Sequence, residues 1–165
     1  MSMFSSYFNK DYYARYYTDC KTRVAEPRYY DGLARFMSGY SDLLGFSVRS
    51  ILDLGCGIGS LRMPLLRQFS KATYTGVDIS EYACDKYGWE LGSISDYSPA
   101  QSFDLVICHD VVQYLDNKDA KAAIKNMDGL IDASMKLPID RDLITAAKRL
   151  KIISTATTGF DHIDP

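Results

Sequence analysis

Residues 50–59 read SILDLGCGIG, an apolar run that stops in three glycines spaced two apart. Ser50 to Leu54 has the length and composition of a short strand, and Leu61, Leu65, Leu66 and Phe69 recur at helical spacing beyond the glycines. A chain that passes from a strand through Gly55, Gly57 and Gly59 into a helix needs positive φ or a close backbone approach at the turn, and glycine supplies both. The unit then repeats. Thr73 to Val77 predicts a strand, Ser80 to Tyr87 a capped helix, and Trp89 to Ser93 and Phe103 to Cys108 two further strands. Alternation of this kind predicts an α/β fold, a mostly parallel sheet with helices on both faces.

Elements flank this repeat on both sides. Leu33, Phe36, Met37, Tyr40, Leu43 and Leu44 keep the period of an amphipathic helix with Pro27 near its start. Ala120, Ala123, Ile124 and Met127 predict another helix, and Gly129 to Ala133 a short strand. From Pro138 a new unit begins: Asp140 caps a helix through Arg149, and Leu150 to Thr155 is a β-branched run. That run is expected to be a buried parallel strand, with the preceding helix as its crossover. The 165 residues are expected to form one domain, with an N-terminal helical region over 1–48, a core over 49–130 and a truncated or atypical tail over 131–165.

Composition narrows the function classes. With 47% hydrophobic and 24% charged residues and no apolar stretch of the roughly 18 that a bilayer span needs, no membrane span is expected. A formal net charge of -2 disfavours a nucleic-acid partner, since phosphate backbones are held mainly by positive charge. Small molecules or proteins are the better partners. Cys20, Cys56, Cys84 and Cys108 lie far apart with no CxxC pair, so no metal site is expected and the thiols read as free, as in a reducing compartment. Met1 to Lys10 lacks the features of a secretory signal, which makes the cytoplasm the expected location.

The glycine loop has a chemistry of its own. A dinucleotide fingerprint wants a third glycine three residues after Gly57, where Ser60 stands, and Asp53 beside the loop would repel a pyrophosphate. An acidic residue there suits a ligand with an ammonium and a sulfonium, such as S-adenosylmethionine. The helix that follows offers unpaired N–H groups to an anionic group. Asp78 lies nineteen residues beyond Gly59 at the end of the second strand, where a carboxylate accepts hydrogen bonds from ribose hydroxyls. A carboxylate at a strand end is expected to lie outside the core.

The segments ILDLGCGIGS, YTGVDIS, GSISDY and FDLVICHDVVQYLD stand in the order and spacing of class I SAM-dependent methyltransferase motifs, and the chain resembles that family over about residues 8–130. The resemblance implies a Rossmann-like core. It implies that Gly55, Gly57 and Gly59 line the methionine part of the cofactor, that Asp53 faces its amino group, and that Asp78, followed by Ile79, holds the ribose. Where the family often has an acidic and then an apolar residue for the adenine, this sequence has Ser93 and Ile94; Asp96 is the nearby acidic substitute. The reaction implied is methyl transfer to a small-molecule or protein acceptor, with a second copy or a partner chain completing the sheet.

His109 and Asp110 follow the fourth strand, where ligands approach the carboxyl ends of open sheets. His109 is the candidate base for a hydroxyl or amine nucleophile, and a loop histidine bonded to its neighbours is the alternative. Asp110 is a candidate cofactor contact, and Tyr114 is either a site residue or core packing. Tyr12 with Tyr16 and Tyr13 with Tyr17 are i, i+4 pairs among thirteen tyrosines, so the N-terminal aromatics are either a lid over the cofactor or packing on the sheet. Arg15 and Arg23 are candidates for the cofactor carboxylate. Finally, LPIDRDLITAAKRLKIISTATTGFDHID resembles the N-terminal catalytic-domain segment of D-isomer-specific 2-hydroxyacid dehydrogenases over about residues 126–164. The catalytic arginine, glutamate and histidine motifs of that family are missing, so dehydrogenase activity is expected to be absent. A fusion or a remnant without activity is the alternative to a working transferase.

Overall fold

The computed structural model describes residues 7–111, 114–125, 129–132, 139–148 and 152–155. The chain divides into two compact units, Met1–His109 and Asp110–Pro165.

In the first unit a one-turn helix α1 (Lys10–Tyr13) runs on into a π-helical turn, Ala14–Thr18. Asn9 caps α1 by accepting from the N–H groups of Asp11 and Tyr12, both at 3.0 Å. Helix α2 (Pro27–Leu43) starts at Pro27 as expected, a first-turn position where its missing N–H costs nothing. Of the expected apolar face, Leu33 and Met37 pack against the core. Tyr30, Ala34 and Ser41 are buried, whereas Phe36, Leu43 and Leu44 face solvent. Phe36 instead stacks on Tyr40, with ring planes 11° apart.

The sheet is built from β1 (Ser50–Leu54), β2 (Thr73–Asp78), β3 (Glu90–Leu91) and β4 (Leu105–Ile107), with helix α3 (Arg62–Gln68) joining β1 to β2 and α4 (Glu81–Tyr87) joining β2 to β3. The strand order is β3-β2-β1-β4 and every pairing is parallel. This is a Rossmann-like core. The chain builds outward from β1 to β3 and then returns to the other side of β1, so the order reverses between β1 and β4, where open α/β sheets bind ligands. Strand β3 is shorter than expected because Ser93 turns the chain: its carbonyl accepts from the Tyr97 N–H at 2.8 Å.

Alternation along the strands separates two cores. Ile51 packs with Ala34, Val48, Leu61, Leu65 and Ile107, beneath α2 and α3. Leu52, Leu54 and Val77 point the other way, against Ile94, Tyr97 and Phe103 of the β3–β4 connection. Asp104 joins β4 to β1, accepting from the N–H groups of Arg49 and Ser50 and from the Ser50 hydroxyl. Those bonds hold its carboxyl below the usual range.

The second unit holds α5 (Asn117–Ile124), β5 (Gly129–Asp132), α6 (Arg141–Ala146) and β6 (Ile152–Thr155). Asp116 and Asp140 cap the two helices, each accepting an N–H three residues on at 2.8 Å. Strands β5 and β6 pair in parallel, Gly129 with Ile152 through Asp132 with Thr155, so α6 is the expected crossover. The expected helix position Met127, the strand end Ala133 and the burial of the 150–155 run lie outside the described residues and side chains.

Candidate functional site

Asp53 and Asp78 stand at the carboxyl ends of neighbouring strands, because register pairs Asp53 with Gly76 and Leu54 with Val77. Between them runs the glycine loop, with φ of +74°, +55° and +76° at Gly55, Gly57 and Gly59. Two of these positions are also crowded. A Cβ on Gly57 would lie 3.3 Å from the Tyr13 ring, and one on Gly59 would lie 2.7 Å from the Trp89 ring.

The loop consumes its own amides. Gly55 and Cys56 donate to the Val77 carbonyl, Gly59 donates to that of Cys56, and Gly57 donates to Asp78 Oδ2 at 2.7 Å. The N–H groups of these four residues are therefore spent within the fold, and this part of the loop presents shape and buried carboxylates.

Asp78 is not outside the core as expected: it is 4% exposed. Its Oδ1 accepts from the Ser80 N–H at 2.8 Å and from the Tyr13 hydroxyl at 3.3 Å. Burial pushes its carboxyl up, and the hydrogen bonds from Ser80, Gly57 and Tyr13 oppose that. Asp53 is 3% exposed and bonded differently. Its Oδ2 accepts from the Tyr74 hydroxyl at 2.6 Å, and among the described residues no donor reaches Oδ1. Burial pushes it up to about 6, with Tyr74 opposing and the Asp78 charge adding.

Trp89 and Tyr74 are site residues to which the sequence reading gave no role, although Tyr74 opens the YTGVDIS segment. The Trp89 indole N–H donates to the Gly57 carbonyl at 2.9 Å, and its ring fills the space where Cβ atoms on Gly59 and Gly76 would stand, each at 2.7 Å. A glycine inside a strand often marks such a close approach, so Gly76 was the available signal. Arg62 lies over the same indole, 5.4 Å from its centroid.

The other candidates fall in several places. Ile79 is half-buried between Asp78 and Ser80. Ser93 bonds the Ser95 hydroxyl at 2.9 Å within its turn, Ile94 packs on Leu52, Leu54 and Val77, and Asp96 is exposed. His109 Nε2 lies 3.0 Å from the Tyr29 hydroxyl, a partner from α2 that sequence spacing did not reveal. Asp110 opens the second unit with φ +56°, the one non-glycine positive φ among the described residues, and Tyr114 of that unit is exposed. Arg23 pairs with Glu26, and Arg15 lies over the Tyr16 ring. Among the described residues no helix is long and apolar enough to cross a membrane, and no group of three or more His, Cys, Asp or Glu is placed to hold a metal ion.

A family model described as a methyltransferase domain matches residues 52–134, about half of the chain, from within β1 through His109 and Asp110. The chain belongs to this methyltransferase-domain family. Solved structures of similar fold include an S-adenosylmethionine-dependent methyltransferase from Clostridium acetobutylicum ATCC 824, 23% identical with TM-score 0.53 over 70% of this chain and 50% of that one. DesVI of Streptomyces venezuelae is 21% identical with TM-score 0.50, over 58% and 44%. The plantazolicin methyltransferase BpumL, in complex with a pentazolic desmethylPZN analog and SAH, is 18% identical with TM-score 0.51, over 87% and 56%. This methyltransferase-domain chain spans about half the length of the solved structures it matches. No curated protein matches it.

Proposed function

We propose that this chain binds S-adenosylmethionine at the carboxyl ends of β1 and β2 and transfers its methyl group to a small-molecule or protein acceptor. The observation that carries the reading is the buried Asp53 carboxylate whose Oδ1 has no donor among the described residues. A buried acceptor of this kind calls for a donor, and an ammonium supplies both charge and hydrogen bond. The neighbouring Asp78 is the ribose acceptor, with Ile79 beside it, and Gly55, Gly57 and Gly59 let the ligand lie against backbone. Two adjacent carboxylates would repel a pyrophosphate, so a dinucleotide fits this site poorly. Ser93 and Ile94 are assigned to the adenine edge, and the assignment of Asp110 to the cofactor rests on the family resemblance alone.

When bound, the cofactor would supply a methyl carbon activated by sulfonium for transfer to the acceptor. The protein's part is then to position the acceptor and to take its proton, and alignment alone carries much of the acceleration. His109, held by Tyr29, is the residue we assign to that proton. The dehydrogenase-like segment is read as structural, contributing α6 and β6 without nicotinamide chemistry.

Calorimetric titration with S-adenosylmethionine, its demethylated product SAH and NAD tests the reading. Binding of the first two and not of NAD is expected, and NAD binding as tightly as SAH overturns it. Turnover of the cofactor with candidate acceptors then separates a transferase from a binding remnant.

A further inference from the structure

Tyr13 is the only buried residue of the N-terminal segment 10–18, at 4% exposed. It reaches past the glycine loop to Asp78. Two further contacts hold it there. The Ser80 hydroxyl donates to the Phe8 carbonyl, and the Tyr13 ring stacks on Tyr82 at 6.1 Å between centroids.

The three hydrogen bonds on Asp78 are unequal. The Gly57 and Ser80 amides, at 2.7 and 2.8 Å, come from backbone that is fixed by the loop and by the cap of α4. The Tyr13 hydroxyl, at 3.3 Å, is beyond the usual range for an O–H donor and comes from the short helical segment 10–18, below the length at which a helix is stable by itself. Burial and the Asp78 charge push the phenol well above its ordinary range, so it stays a neutral donor at any working pH. The amides therefore shape the carboxylate, and the phenol is the exchangeable partner.

We propose that Tyr13 is a plug: its hydroxyl holds the place on Asp78 Oδ1 that a ribose hydroxyl takes, and the N-terminal segment must leave before the ribose binds. The inference rests on the cofactor reading above, with Asp78 as the ribose acceptor. Oδ1 already accepts from Ser80, so its second lone pair serves either the phenol or the ligand, not both. The Tyr13 ring also stands against Gly57, across the backbone surface the ligand would use. A plug of this kind lowers apparent affinity by the fraction of molecules that are open.

Hydrogen exchange over residues 9–18 of the intact chain, with and without saturating SAH, tests the plug, together with SAH titration of wild type and Tyr13→Phe. Phenylalanine keeps the ring and removes the competing hydroxyl. Faster exchange in 9–18 on SAH addition and binding about three- to tenfold tighter in Tyr13→Phe are expected. Slower exchange would mean that the segment closes over the ligand, and weaker or unchanged binding in Tyr13→Phe would mean that the phenol does not compete; either result overturns the plug while leaving the cofactor reading in place. Binding by the variant alone supports the plug in its strongest form. Binding by neither protein overturns both readings.

Discussion

The indole N–H of Trp89 donates to the carbonyl of Gly57 across 32 positions of sequence, at 2.9 Å. This bond ties the start of β3 to the centre of the glycine loop, and the ring occupies the space left open by Gly59 and Gly76. The loop conformation is thus set from behind by a side chain that has no place in the loop motif. Trp89→Phe removes the bond and part of the ring, and is expected to cost about 1–3 kcal/mol of stability and to weaken SAH binding. Urea unfolding and an SAH titration check this. Unchanged values in both would mean that the loop keeps its shape without the indole.

Gly76→Ala approaches the same contact from the strand. The new Cβ would meet the Trp89 ring at 2.7 Å and the Cys56 Sγ at 2.9 Å, and β2 is held by neighbours on both sides. A loss of about 1–3 kcal/mol is expected, the range for overpacking a filled core. A double variant with Trp89→Phe should recover part of it, since the shared partner has shrunk. Additive losses in the double-mutant cycle would show that the two residues do not press on each other.

Asp78→Ala is expected to damage fold and binding together. The Gly57 and Ser80 amides would lose their buried acceptor, at about 1–3 kcal/mol for each group left unsatisfied, and SAH affinity should fall by about 1.5–3 kcal/mol. Thermal unfolding and calorimetry separate the two effects. A variant that binds SAH as wild type does would remove Asp78 as the ribose ligand.

Asp53 predicts two opposite dependences on pH. Its carboxyl is pushed from 3.8 to about 6 in the fold, so between those values the folded chain binds more protons than the unfolded one. Stability therefore falls as pH rises from about 4 to about 6 and levels off above, and the raised Asp78 adds in the same direction. A displacement of that size corresponds to about 3 kcal/mol, so Asp53→Asn should be more stable than wild type at pH 7 by up to that order. Binding of an ammonium ligand runs the other way: it needs the charged carboxylate and should weaken as pH falls below about 6. Melting curves and SAH titrations from pH 4.5 to 8 read both slopes. The idea fails if Asp53→Asn leaves the binding slope in place or does not reduce the stability slope.

Strand β6 should exchange slowly. Its ladder with β5 runs from Gly129–Ile152 to Asp132–Thr155, and Asp140 starts the crossover helix between them. Protection of amides 152–155 comparable with Ile51 to Leu54 is expected. Rapid exchange there, with no change in stability on deleting residues 150–165, would show an appended segment instead.

Local pattern was enough to determine the order of elements from β1 to β4, the glycine loop and the positions of Asp53 and Asp78 at strand ends, because strand, turn and helix periods are written within ten residues of one another. The crossover that makes β5 and β6 parallel was legible for the same reason. Tertiary structure alone decided how those parts face each other. Which residues of α2 are buried depended on what it packs against, so Tyr30, Ala34 and Ser41 are covered and the more apolar Phe36, Leu43 and Leu44 are not. That Asp78 is buried and already holds three donors, that Tyr74 leaves one oxygen of Asp53 without a described partner, and that Trp89 and Tyr13 press on the loop from distant segments are likewise absent from any local spacing. A hydrogen bond between residues 32 or 65 positions apart is fixed by sheet register and chain return. Neither has a signature in the residues themselves.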